Sequence, residues 1–330
     1  MAVRESVVIV TEPEFRKAEA VFVAASGLHC VPAPPEEDTL TVAIRKARAC
    51  HAVVGTFPYR KDLYAALPSG GVLARFGVGH DGIDKAKATE AGLLCTNTPG
   101  VLDRSVAEHT ISLIAAASRH IVALDRRMRE SAWAPQAGSE IGGKTLVVIG
   151  CGPIGREVAR IAAFGFRMCV IGCNRSPVPT QVLSQYGFEE VLGDFEAAVC
   201  DADYVSVHIP ATPANTHYIN GERLGRLPAG AWLINTARGA VVDEAALYDV
   251  IAERRIGGAA LDVFEREPYE PLVPMRDLRT LENVILTPHV GSNTAEANRR
   301  MAERALHNIA LAEAGDHARM DLLNPEVLSR

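Results

Sequence analysis

The 330 residues exceed what one average hydrophobic core organises, so two domains are expected. Hydrophobic residues make up 48% and charged residues 22%, with a net charge of −6, which describes an ordinary globular chain and excludes a strongly basic nucleic-acid binder. The runs Arg126-Arg127-Met128-Arg129 and Arg299-Arg300 are diluted by nearby acids and read as solvated helix faces.

In chain order, strands are expected at residues 6–10, 51–55, 72–77 and 93–96, with helices at 40–49, 61–66 and 85–90 between them. Residues 32–35 read as a proline-rich loop, and Thr98-Pro99-Gly100 as a hinge. A long helix over about 105–131 follows. A second series then places strands at 145–149, 168–171, 204–207, 231–234, 258–261 and 284–286. A last helix near 295–314 runs into an irregular tail, 322–325. Strands alternating with helical patterns imply βαβ units, hence α/β architecture with a parallel sheet. The opening MAVRESVVIV lacks the features of a secretion signal, and no run of about 18 apolar residues suggests a membrane span. Seven scattered cysteines without a CxxC pair point to reduced thiols in a cytoplasm and to no metal site.

Gly150-Cys151-Gly152-Pro153-Ile154-Gly155 is a G-x-G-x-x-G hexad between a strand, TLVVI, and a helix, REVARIAAFGF. In that setting the first glycine permits a tight turn, the second admits a pyrophosphate to the backbone, and the third lets helix and strand pack closely. The helix N-terminus then faces the anion. At the end of the next strand a carboxylate would bind a ribose 2′-hydroxyl and repel a 2′-phosphate. Here the residues are Asn174, Arg175 and Ser176, which favours NADP over NAD while leaving NAD open. Gly138 to Thr145 also matches the triphosphate-loop pattern, but it opens a strand rather than a helix, so that chemistry is rejected.

Three polar residues follow successive strands: Arg238 in INTARGAVVDE, Glu267 in DVFEREP and His289 in ILTPHVG. Singly, each has a structural reading as surface charge, loop acid or capping histidine. Together they supply what reduction of a 2-oxo acid needs beyond a cofactor's hydride. A histidine transfers a proton near neutral pH, a carboxylate orients its ring, and a planar, permanently charged guanidinium holds the substrate carboxylate. In the first domain Arg75-Phe76-Gly77-Val78-Gly79-His80-Asp81 offers a glycine turn whose amides suit a carboxylate.

The ordered set FGVGHDGID, TNTPGVLDRSVAEHT, VVIGCGPIG, HIPATPANTH, LINTARGAVVDE, ALDVFEREP and ILTPHVGS resembles the D-2-hydroxyacid dehydrogenase family, which includes phosphoglycerate, glyoxylate and hydroxypyruvate reductases. The resemblance covers nearly the whole chain. It implies two Rossmann-like domains with doubly wound parallel sheets: a flavodoxin-like substrate domain from 1–99 and 294–330, and a dinucleotide-binding domain over 100–293, which close on each other in the reaction. It implies Arg238 as substrate-binding arginine, Glu267 as partner of His289, and His289 as proton donor, with Val78 and Gly79 binding the carboxylate. Asp262 and Ala237 are implied near the nicotinamide carboxamide, and Pro210 and Thr212 on the adenosine side. His208, Thr236 and Gly291 fall in the same cofactor-lining motifs. A homodimer formed through the cofactor domain is also implied.

The chain departs from the family pattern at His80 and Asp103, both candidates to face substrate. The segment Gly55-Thr56-Phe57-Pro58-Tyr59-Arg60, with Thr56 and Phe57 as substrate-facing candidates, sits where the family selects substrate; it is bulkier and less basic than in phosphoglycerate dehydrogenases, which argues against a phosphorylated substrate. The expected partner is thus a small 2-oxo or 2-hydroxy acid, without nucleic acid or membrane. Two other functions stay open on the residues alone: a dinucleotide-sensing scaffold or corepressor on the same fold, and hydride transfer to a different small oxyanion or aldehyde.

Overall fold

The computed structural model describes residues 5–329. The chain divides into two compact units: one runs to Leu102 and resumes at Asn293, and the other spans Asp103–Ser292.

The first unit is built on a five-stranded sheet of β1 (Ser6–Thr11), β2 (Leu28–Ala33), β3 (His51–Val54), β4 (Val72–Arg75) and β5 (Leu94–Thr96), in the order β2-β1-β3-β4-β5. Every pairing is parallel, which gives the flavodoxin-like arrangement. Strands β3, β4 and β5 are buried throughout, as expected of parallel strands covered on both faces. Ile9, Val54 and Leu73 share a core with Leu40 and Ile44 of helix Glu37–Ala47.

Three features of this unit differ from the expectation. Pro32 lies within β2 rather than in a loop; β2 is an edge strand, where a missing N–H costs little. Residues 61–66 form only a 3₁₀ turn, Leu63–Ala66. The tail is held by pairing: Leu322 forms an antiparallel bridge with Thr96, and fully buried Asn324 accepts from the Cys95 amide (2.9 Å) and donates to the Leu93 carbonyl (2.9 Å).

The second unit carries seven strands: β6 (Thr145–Ile149), β7 (Cys169–Cys173), β8 (Glu190–Leu192), β9 (Tyr204–Val207), β10 (Trp232–Asn235), β11 (Gly258–Leu261) and β12 (Val284–Leu286). Their order is β12-β11-β10-β9-β6-β7-β8, all parallel. This is the dinucleotide-binding order with one extra strand beyond β11. Alternate residues of each strand feed two cores. Val147, Val205 and Leu233 pack with Leu247 and Ile251 on one face; Leu146, Val148 and Ile234 pack with Ile111 and Ile114 on the other.

Strand β8 was not expected: it is a three-residue edge strand with no fully buried side chain. The long helix expected over 105–131 is two helices, Asp103–Ser118 and Ile121–Arg129, broken where His120 turns left-handed (φ 54°). Among the described residues, no helix is long and apolar enough to cross a membrane.

Candidate active site

The glycine hexad leaves β6 and enters helix Pro153–Arg160. Gly150 has φ 96°, and a Cβ there would lie 2.7 Å from the His208 carbonyl oxygen. A Cβ on Gly155 would lie 2.1 Å from the Gly150 carbonyl oxygen, so only glycine lets the helix approach its strand this closely. A Cβ on Gly152 would meet nothing within 4 Å, which leaves that backbone open to a ligand. Gly152 caps the helix, Pro153 takes the first-turn position where no N–H is needed, and Ile154 packs against the core beneath. An open backbone at a helix start suits a pyrophosphate, so the loop fits a dinucleotide.

At the end of β7, the Asn174 side chain accepts from the Cys151 amide (3.2 Å) and donates to the Ser176 carbonyl (2.8 Å). It thereby ties the phosphate loop to the exposed Arg175-Ser176 turn. After β9, His208 Nε2 lies 2.7 Å from Ser206 Oγ, and desolvation lowers its pKa, so the imidazole is neutral at pH 7. The Pro210 carbonyl accepts from Asn215 (2.8 Å), and the Thr212 carbonyl accepts from Thr216 (3.2 Å).

Strands β10, β11 and β12 are neighbours, and the segments leaving their carboxyl ends carry Arg238, Glu267 and His289. Buried Asn235 shapes the first of them. Its side chain donates to the Arg238 carbonyl (2.9 Å) and accepts from the Ala237 amide (3.0 Å), while the Arg238 guanidinium donates to the Ala237 carbonyl (2.7 Å). Glu267 Oε2 lies 2.7 Å from His289 Nδ1, and Glu267 Oε1 accepts from the Phe264 amide (3.0 Å). A carboxylate only accepts, so Nδ1 carries the hydrogen and Nε2 is the nitrogen left to exchange a proton. Burial alone would raise the Glu267 pKa. The bond and charge of His289, the Phe264 amide and the Arg238 charge outweigh it and hold the carboxyl below its ordinary value.

His289 is left-handed (φ 54°), a conformation its surroundings must impose. Asp262 does so. Its carbonyl accepts from the His289 amide (2.8 Å), and its carboxylate accepts from Thr287 Oγ (2.5 Å) and from the amides of Val290 (2.9 Å) and Gly291 (2.8 Å). His109 Nε2 lies 3.1 Å from Thr287 Oγ and 3.4 Å from Asp262. Burial pushes the Asp262 pKa up, but these four donors together pull it below its ordinary value. Thr236 Oγ pairs with Thr110 Oγ (2.9 Å), joining β10 to the same helix.

In the first unit, Thr98 Oγ accepts from the Gly77 amide (3.1 Å), and the Val78 carbonyl accepts from Asn97 (2.8 Å), fixing the turn that presents Val78, Gly79 and His80. Thr56 and Phe57 are exposed. Asp103 begins helix Asp103–Ser118 in the second unit, and burial raises its pKa. Among the described residues, no group of three His, Cys, Asp or Glu side chains could hold a metal ion.

Sequence reasoning missed Asn235, Thr287 and His109. Asn235 had a local signal, an Asn at a strand end before a turn. His109 had none, being 178 positions from Thr287.

Residues 111–291 match the model of the D-isomer specific 2-hydroxyacid dehydrogenase NAD-binding domain. A glyoxylate reductase of Korarchaeum cryptofilum is 38% identical over 309 residues, covering 90% of this chain and 88% of that protein. An NADPH-dependent glyoxylate/hydroxypyruvate reductase from Sinorhizobium meliloti superposes with a TM-score of 0.77 at 27% identity, over 97% of each chain. A D-lactate dehydrogenase from Aquifex aeolicus, complexed with NAD and lactic acid, gives 0.80 at 26% identity, over 94% of this chain and 96% of that one.

Proposed function

The chain belongs to the D-isomer specific 2-hydroxyacid dehydrogenase family, and from that premise we propose that it reduces a small unphosphorylated 2-oxo acid of the glyoxylate or hydroxypyruvate class, or runs the reverse reaction. The observation that carries this reading is the 2.7 Å pair of His289 and Glu267 beside the charge of Arg238, on three neighbouring strand ends.

Gly150, Gly152, Pro153, Ile154 and Gly155 would hold the pyrophosphate, with His208, Pro210, Thr212, Thr236, Ala237, Asp262 and Gly291 lining the rest of the cofactor. When bound, the nicotinamide supplies the hydride. The chain's own residues do the remainder. His289 Nε2 gives its proton to the carbonyl oxygen as negative charge develops there, and Glu267 holds Nδ1–H throughout. Arg238 binds the carboxylate, with the Val78 and Gly79 amides as further donors. Thr56, Phe57, His80 and Asp103 select the side chain of the acid.

NADP is preferred over NAD in this reading. Support comes from the end of β7, which offers Asn174, Arg175 and Ser176 and no carboxylate. Seven unpaired thiols favour a reducing compartment, the cytoplasm. A homodimer is supported by helix Ile121–Arg129, which buries no side chain, and by exposed Ile121, Met128 and Trp133 (84% exposed). Val122, Ala123 and Arg127 of that helix line a groove of about 630 Å³ together with Ala116, Trp232, Ile256 and Val284. Sedimentation checks this; a monomer at all concentrations would overturn it.

The activity itself is tested by mixing the protein with NADPH or NADH and a panel of 2-oxo acids. Loss of reduced-nicotinamide absorbance with glyoxylate or hydroxypyruvate is expected. Cofactor binding without turnover of any acid would overturn the proposal in favour of a sensing scaffold.

A further inference from the structure

We infer that Glu244, Glu265 and His217 form a clamp of positioning residues that sets the Glu267–His289 pair against Arg238. The inference rests on the roles proposed above for those three groups.

Arg238 leads into the turn Gly239–Val241 and then helix Glu244–Ala252, while Glu267 ends the segment that leaves β11. These segments are joined by a reciprocal pair of hydrogen bonds. The Glu265 amide donates to Glu244 Oε1 (2.5 Å), and the Glu244 amide donates to Glu265 Oε1 (3.1 Å). The other oxygen of Glu265 takes His217 Nε2 at 2.7 Å. The His217 amide donates to the Ala240 carbonyl (2.8 Å), between Arg238 and Glu244. The two segments also touch directly: a Cβ on Gly239 would lie on the Phe264–Glu265 peptide. These five contacts, two of them made by His217, fix the segment that follows Arg238 against the two residues that precede Arg266 and Glu267.

The arrangement carries a cost that points to a purpose. Glu244 is 6% exposed. Burial, helped by the charges of Glu265 and Glu267 and opposed by the Glu265 amide and His217, raises its pKa to about 7. An apolar residue at this first helical turn would avoid that penalty. What it would forfeit is the bond to the Glu265 amide, which places Glu267 two residues on. Displacement of a reacting group by about 1 Å can cost on the order of 10²-fold in rate, so a clamp at this point acts on turnover rather than on stability alone.

The test compares Glu244→Ala, Glu265→Ala and the conservative Glu244→Gln with the native enzyme, which must first turn over glyoxylate with NADPH. The clamp predicts that each alanine variant loses about tenfold in kcat while NADPH affinity stays within about twofold, and that Glu244→Gln, which keeps an acceptor for the Glu265 amide, recovers most of the rate. Alanine variants that melt earlier yet keep native kcat would overturn it. So would Glu244→Gln being as slow as Glu244→Ala. A second reading is independent of turnover. The downfield proton signal of the imidazole Nδ1–H bound to Glu267, identified by its absence in His289→Ala, should broaden or vanish in Glu244→Ala. Its persistence unchanged would overturn the clamp even if the native chain proved inactive, an outcome that would by itself defeat only the assigned reaction.

Discussion

Two histidine–glutamate pairs lie in the same unit, each 2.7 Å long and each built on a left-handed histidine, His289 (φ 54°) and His217 (φ 48°). They differ in which ring nitrogen meets the acid. His289 spends Nδ1, the nitrogen nearer its own backbone, and presents Nε2, the one that reaches furthest. His217 spends Nε2 and keeps Nδ1 close to its backbone. Their acids differ as well. Glu267 takes its other bond from Phe264 within its own segment, whereas Glu265 takes its other bond from the start of a neighbouring helix. One pair leaves its outer ring nitrogen available for the proton transfer proposed above, and the other joins two segments, so a short His–Glu contact does not by itself mark an acid/base site.

Removing each imidazole is the largest way to break that comparison. His289→Ala should lower kcat by about 10²–10⁴-fold with cofactor affinity nearly unchanged, the range expected for lost general acid/base help. His217→Ala should cost less than about tenfold. Steady-state kinetics with a parallel NADPH titration measure both, and equal losses would erase the distinction drawn between the pairs. Next in size is the contact of Gly239 with the Phe264–Glu265 peptide. Gly239→Ala would drive a methyl group into the Phe264–Glu265 peptide, destabilising the unit by about 1–3 kcal/mol as overpacking does and lowering kcat with it. Thermal unfolding and kinetics on the same sample check this; an unshifted melting transition would mean the two segments are not in register through Gly239.

Much of this was legible in the sequence, for identifiable reasons. The glycine hexad announces itself because each glycine answers a local demand, and strand ends deliver Arg238, Glu267 and His289 because a parallel sheet gathers its carboxyl ends along one edge. The helix break at His120 was not legible, since neither glycine nor proline marks it. Nor was β8, an edge strand too short to show a period. The support around the site was hidden for a different reason. Glu244 and Glu265, and His109 and Asp262, meet only through the fold, and nothing in their local sequence distinguishes a buried carboxylate with donors from a solvated one.

The end of β7 sharpens a second contrast, between holding a loop and reading a nucleotide. Asn174 does the first through Cys151 and Ser176. Asn174→Asp keeps the acceptor for the Cys151 amide, sets a carboxylate against the Ser176 carbonyl, and adds a negative charge where a 2′-phosphate would sit. The ratio of kcat/KM for NADPH to that for NADH should fall by about tenfold or more. An unchanged ratio would show that Asn174 serves the loop alone.

The smallest effect separates the two pairs by pH. The His217 pKa is raised above 6.5, chiefly by its hydrogen bond to Glu265. A raised folded value means that its stabilisation is complete below the ordinary histidine value and fades as pH climbs through the folded one. The Glu267 pKa lies below 4.5: burial would raise it, but His289, the Phe264 amide and Arg238 prevail. Its stabilisation is complete above the ordinary value and fades as pH falls through the folded one. His217→Gln should therefore lower Tm more at pH 6 than at pH 9, and Glu267→Gln more at pH 7 than at pH 3.5. Both side chains are about a third exposed or more, so solvent screening limits each difference to roughly 1–3 °C. A loss that did not shrink from pH 6 to pH 9 for His217→Gln would mean that Glu265 does not favour the charged imidazole, and one that did not shrink from pH 7 to pH 3.5 for Glu267→Gln would mean that the donors around Glu267 do not favour its carboxylate.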